Sequence, residues 1–103
     1  MAKIPCEYSG GNELKFVHLS KANIQLTQNV EASVDYTSEI ATAETDNTGY
    51  HFICLIPNGV YRSGGTGSPL YCGRIPTNRK TVAYTVNMTG TYYTFAIAIL
   101  EKD

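Results

Sequence analysis

An all-β fold is what this chain predicts, and three observations carry the prediction. Residues 80–100 read as two strands joined at Met88-Thr89-Gly90-Thr91, the second of them apolar on both faces. Short apolar segments with period two recur upstream of it, punctuated by Gly, Pro and Asn. Helical periodicity is nowhere sustained. Together these fit a single-domain β-sandwich of jelly-roll or Ig-like type over residues 1–103, with a small β-barrel as the alternative.

The elements follow in order. A short opening strand is expected near residues 3–8, and Ser9-Gly10-Gly11-Asn12 then turns the chain into a second strand at residues 14–19. From residue 23 to 36 the apolar positions Ile24, Leu26, Val30, Ala32, Val34 and Tyr36 alternate, which is the signature of a half-buried strand. Its length predicts a bulge or turn near Gln28-Asn29. Residues 37–49, rich in Thr, Ser and acidic side chains, read as a loop in which only residues 39–44 tempt a helical turn. The run from Tyr50 to Ile56 is a well-covered strand, and Pro57-Asn58-Gly59 should turn it. A short strand at residues 60–62, a glycine-rich tip at residues 63–69 and renewed extended structure over residues 70–75 complete the pass. In the last strand Tyr93, Phe95, Ile97 and Ile99 share one face, and Tyr92, Ala96, Ala98 and Leu100 share the other. Cover from both sides is expected.

Composition bounds the function. Eight basic and nine acidic residues, scattered singly to a formal net charge of −1, offer no basic stripe for phosphates, so nucleic acid is not an expected partner. No apolar run approaches the roughly twenty residues that span a bilayer, and the first residues lack a signal-peptide core. Membrane insertion and a secretory route are therefore not expected. Cys6, Cys54 and Cys72 are odd in number and widely spaced, which favours reduced, buried thiols over a disulfide scaffold; one disulfide leaving one free thiol is the alternative.

Catalytic chemistry finds no foothold. The imidazoles, His18 and His51, both fall inside strands, and in a regular strand His51 and Cys54 would point to opposite faces and could not share a metal. Glu44 and Asp46 share a loop without the arrangement of a glycosidase dyad. The glycine-rich tip lacks the Lys-Ser/Thr ending of a phosphate loop, and Asn87-Met88-Thr89 is a glycosylation triplet without an export signal. No cofactor, metal or enzymatic activity is expected. What stands out is Tyr61, Arg62, Tyr71, Arg74, Asn78 and Arg79 around that tip, because aromatic and guanidinium groups are enriched where proteins or sugars are gripped. Tyr61, Arg62, Tyr71, Arg74 and Arg79 are the candidate partner-binding residues.

The opening Met1-Ala2-Lys3-Ile4-Pro5-Cys6-Glu7-Tyr8-Ser9-Gly10-Gly11, the Thr/Tyr/Asn-rich body and the Pro57-Asn58-Gly59-Val60-Tyr61 segment resemble small virion-associated proteins of tailed phages and prophages. The resemblance implies a non-enzymatic structural role, as capsid decoration or as a tail or fibre subunit, assembled in the host cytoplasm with itself or other virion proteins. The alternative is a soluble carbohydrate- or protein-binding module whose partner is a surface glycan, with tyrosine supplying the rings in the absence of tryptophan.

Overall fold

A computed structural model describes residues 12–63 and 75–103. Five strands and one helix follow in the order β1 (Leu14–Leu26), β2 (Ala32–Asp35), α1 (Thr37–Asp46), β3 (Tyr50–Arg62), β4 (Thr81–Tyr84) and β5 (Gly90–Lys102). The protein is mostly β, with antiparallel sheets and no closed barrel among the described residues, so the all-β expectation holds. A three-stranded sheet has the order β1-β5-β3, and β2 pairs with β4 in a separate ribbon. The expected opening strand, the glycine-rich tip beyond Ser63 and the extended segment up to Arg74 lie outside the described residues.

β5 is the central strand, antiparallel to β1 on one side and β3 on the other. Its even-numbered residues Tyr92, Thr94, Ala96, Ala98 and Leu100 are buried, and Tyr92, Ala96 and Ala98 share one core with Leu55, Val60, Val34 of β2, Tyr84 of β4 and Ile40 of α1. The expected hairpin between residues 80 and 100 does not form. β4 leaves β5 for β2, through the pairs Ala32–Tyr84 and Val34–Val82, because Val82 and Tyr84 bury their side chains over the sheet instead of extending its edge.

The expected strand at residues 14–19 and the first part of the one expected at residues 23–36 are a single strand. β1 runs for 13 residues through a bulge between Lys21 and Ile24, where Asn23 takes a left-handed φ of 59°. The extra residue shifts the inward phase from Val17 and Leu19 to Ile24 and Leu26, which made a single strand look like two. The expected break near Gln28-Asn29 is present: Asn29 is also left-handed at 59° and the chain turns there into β2.

Residues 37–46 form a helix where a loop was expected. Intrinsic propensity argues against it, but Ile40 and Ala43, one turn apart, are buried on the sheet, and packing of that kind outweighs propensity in a short helix. Its first turn is held by Asp35, whose carboxylate accepts from the Thr37 N–H at 2.8 Å and the Thr37 hydroxyl at 2.5 Å. Its last turn closes as the Asn47 side-chain amide donates to the Ala43 carbonyl at 2.8 Å. Glu44 accepts from the Phe52 N–H at 2.9 Å and so ties the helix to β3.

Pro57-Asn58-Gly59 is a bulge inside β3 and not a turn. Pairing resumes beyond it at Val60–Thr94, and Pro57 itself stands opposite Ala96. A proline cannot donate to a ladder, and a bulge is one of the few places where a sheet accepts it. The Thr94 hydroxyl donates to the Gly59 carbonyl at 2.7 Å and the Tyr84 hydroxyl donates to the Asn58 carbonyl, so the bulged backbone is satisfied from the core.

Candidate functional site

The three-stranded sheet has one packed face and one outer face. Register places Leu14, Phe16, His18 and Ser20 of β1 beside Glu101, Ile99, Ile97 and Phe95 of β5, and Cys54, Ile56 and Tyr61 of β3 beside Ile99, Ile97 and Tyr93. All project outward. Phe16 is 64% exposed and Ile97 36%, while Tyr61, Tyr93 and Phe95 are half-buried. The expected cover on this side of β5 is thus incomplete, thickest at Cys54 and Ile99 and thinnest at Phe16 and Ile97.

The rings on this face touch one another in series. His18 meets Phe95 at 5.5 Å between centroids, Phe95 meets Tyr93 edge to face at 5.6 Å, and Tyr93 stacks on Tyr61 at 5.3 Å with 15° between planes. Contacts of this kind add about 0.5–1.5 kcal/mol per pair beyond area burial and lock the side chains in place. A dimple of about 270 Å³ lies beside the ladder, walled by His18, Ile56, Asn58, Phe95 and Ile97. That is smaller than the ~300–1,000 Å³ typical of a small-molecule pocket. The stacked Tyr61 and Tyr93 cover part of each other's ring faces.

At one end of the sheet His51 Nδ1 lies 2.7 Å from Asp103 Oδ1, and His51 Nε2 lies 3.6 Å from the buried Glu101 carboxylate. Nearby, the Tyr50 hydroxyl donates to Glu13, which raises the Tyr50 phenol above its ordinary range. A one-residue bulge between Phe52 and Cys54 brings His51 and Cys54 to the same face, correcting the expectation from a regular strand. Cys54 is held in a disulfide whose partner lies outside the described residues, so reduced thiols give way at this position to the one-disulfide alternative. Among the described residues no group of His, Cys, Asp and Glu could hold a metal ion, and no helix is long and apolar enough to cross a membrane.

The sequence-derived candidates separate. Tyr61 belongs to the ring ladder, and Arg62, exposed at the end of β3, lies over Gly90, where an added Cβ would meet its Nε at 3.4 Å. Arg79 sits elsewhere, exposed on the wall of a groove formed with Pro57, Ile75, Thr77 and Val82. Tyr71 and Arg74 lie outside the described residues. Phe16, His18, Phe95 and Ile97 were missed as a surface, although their alternation was visible; the signal was the shortage of apolar segments left to cover a second face. Comparison with protein families, characterised proteins and solved structures finds no match to this chain.

Proposed function

We propose that this protein is a non-enzymatic structural protein that works by docking, most simply as a virion component of the decoration, tail or fibre kind its sequence style suggests. The outer sheet face carries this reading: a row of rings in mutual contact, flanked by exposed Phe16 and Ile97, is apolar and pre-ordered, with a dimple of about 270 Å³ beside it among the described residues. Such a surface suits a protein partner, since aromatic anchors held in fixed rotamers lose little entropy on binding. Glycan capture remains the competing outcome, read by the same purified chain on a glycan array.

The test is compositional. Particles banded from a lysate of the source are digested and quantified by mass spectrometry. Peptides of this chain in fixed ratio to the major shell or tail protein support the reading, and their absence from banded particles that contain the rest of the virion overturns it.

A further inference from the structure

We propose that Asn58-Gly59 is a self-modifying site: the Gly59 amide nitrogen displaces ammonia from the Asn58 side chain, and water opens the resulting ring to leave an aspartyl or isoaspartyl linkage inside the β3 bulge. The inference goes beyond the docking reading and does not depend on it.

Sequence singles out the position. Of the seven asparagines only Asn58 precedes a glycine, and a glycine has no Cβ to crowd the side chain that its nitrogen must reach. The bulge supplies the geometry. In a regular strand each amide N–H lies in the plane of the sheet while the preceding side chain stands out of it. Here the register passes from Pro57–Ala96 to Val60–Thr94, and the Gly59 N–H between them donates to Asn58 Oδ1 at 2.8 Å. The carbon to be attacked, Asn58 Cγ, is one bond beyond that oxygen. Asn58 is half-buried, so water reaches it.

The core supplies the activation. The attacking form of the Gly59 nitrogen is deprotonated, and its negative charge is shared with the Asn58 carbonyl oxygen of the same peptide unit. That oxygen accepts from the buried Tyr84 hydroxyl, a donor in place before the charge develops. The Thr94 hydroxyl, 3.3 Å from that of Tyr84, donates to the Gly59 carbonyl at 2.7 Å and holds the next peptide unit. Solvent hydroxide removes the Gly59 amide proton, the nitrogen bonds to Asn58 Cγ, and the Cγ–Nδ2 bond breaks as Nδ2 takes a proton from water and leaves as ammonia. The product is a cyclic imide. Water then adds at Cγ to give aspartate, or at the Asn58 backbone carbonyl carbon to give isoaspartate; nothing is oxidised or reduced. The isoaspartyl form threads the main chain through the former side chain and lengthens it by one methylene, at the point that seats Val60 inside and Tyr61 on Tyr93.

The purified chain, incubated at mildly alkaline pH either folded or in urea, is digested in acid, where the attacking amide stays protonated, and its peptides are quantified by mass spectrometry. The folded wild type should convert Asn58 ahead of every other asparagine and faster than the chain in urea, with isoaspartate among the products. Tyr84→Phe should slow the folded rate roughly tenfold or more while leaving the rate in urea unchanged, with dichroism reporting that the variant is folded. A folded wild type that converts no faster than the chain in urea overturns the proposal, because the bulge then protects the amide. This comparison needs no variant. A folded Tyr84→Phe chain that converts at the wild-type rate also overturns it, because the core hydroxyl then gives no activation.

Discussion

Two buried tyrosines in one core should respond oppositely to the loss of a hydroxyl. Tyr36 and Tyr84 are both fully buried, and each contributes a ring to the space between the ribbon and the three-stranded sheet. The Tyr84 hydroxyl donates to the Asn58 carbonyl and lies 3.3 Å from the Thr94 hydroxyl. The Tyr36 hydroxyl, close to Thr94 as well, meets no hydrogen-bond partner of proper geometry. Burial pushes its phenol far above the ordinary range, Thr94 opposes this only in part, and Tyr84 and Glu39 add to it.

A buried polar group left unmade costs about 1–3 kcal/mol, whereas a made hydrogen bond contributes about 1 kcal/mol net. Tyr36→Phe removes the penalty and leaves a void smaller than a methyl group, so a gain of about 1 kcal/mol is expected. Tyr84→Phe removes a made bond at the Asn58 bulge and should lose about 2 kcal/mol. For a domain of this size 1 kcal/mol moves the midpoint by roughly 4–8 °C, so the two variants should part by about 12–24 °C. Urea unfolding and calorimetry on both variants supply the numbers. Spectrophotometric titration adds a second reading, since one phenol titrating above the ordinary tyrosine range should vanish in Tyr36→Phe. A Tyr36→Phe protein destabilised as much as Tyr84→Phe would refute the reasoning, because the Tyr36 hydroxyl would then be engaged in solution.

Asp35 should make α1 sensitive to acid. The Thr37 hydroxyl, then the Thr37 N–H, hold its carboxyl below the usual range, so its contribution is present above that range and lost as pH falls through the depressed folded-state value. Asp35→Asn should flatten this part of the stability–pH curve, measured by urea midpoints through the acid range. A double-mutant cycle on Tyr61 and Tyr93, each to Leu, should return a coupling of about 0.5–1.5 kcal/mol for the stacked pair, and zero coupling would mean the ladder is not ordered in solution. Ile97→Lys should leave the melting temperature nearly unchanged yet abolish incorporation into banded particles. Arg62→Ala should weaken incorporation less, since its exposed side chain lies beside the ladder and not within it.

The architecture was legible where alternation is unbroken and obscured where it slips. β5 could be recognised as a central strand, with the right residues on each face, because no bulge interrupts its sequence. β1 was split in two because one extra residue between Lys21 and Ile24 reverses its inward phase. α1 was hidden by its Thr- and Glu-rich composition, since its stabilising contacts come from distant partners, Ile40 on the sheet and Glu44 on the Phe52 amide. Pro57-Asn58-Gly59 looked like a turn because the same residue types serve bulges and turns alike. Tyr61 was found as a candidate, but for its nearness to Arg62 and the glycine-rich tip and not for the ladder it joins.

That last difference follows from the bulges themselves. Before the Pro57–Val60 bulge the paired numbers of β3 and β5 run Ile56–Ile97; after it they run Val60–Thr94 and Tyr61–Tyr93, one residue out of step. Continued without the bulge, the register would set Tyr61 against Tyr92 and turn it into the core, where Val60 now lies fully buried. The extra residue therefore does two things together: it seats Val60 inside and swings Tyr61 out onto Tyr93. The earlier bulge at Phe52–Cys54 acts alike, burying Leu55 and presenting Cys54 to the outer face. Neither event is a motif, since each is a one-residue offset whose consequence appears only against β5. The ring ladder is thus made by register, and deleting Asn58 should turn Tyr61 inward and erase the end of the ladder more completely than any single ring substitution.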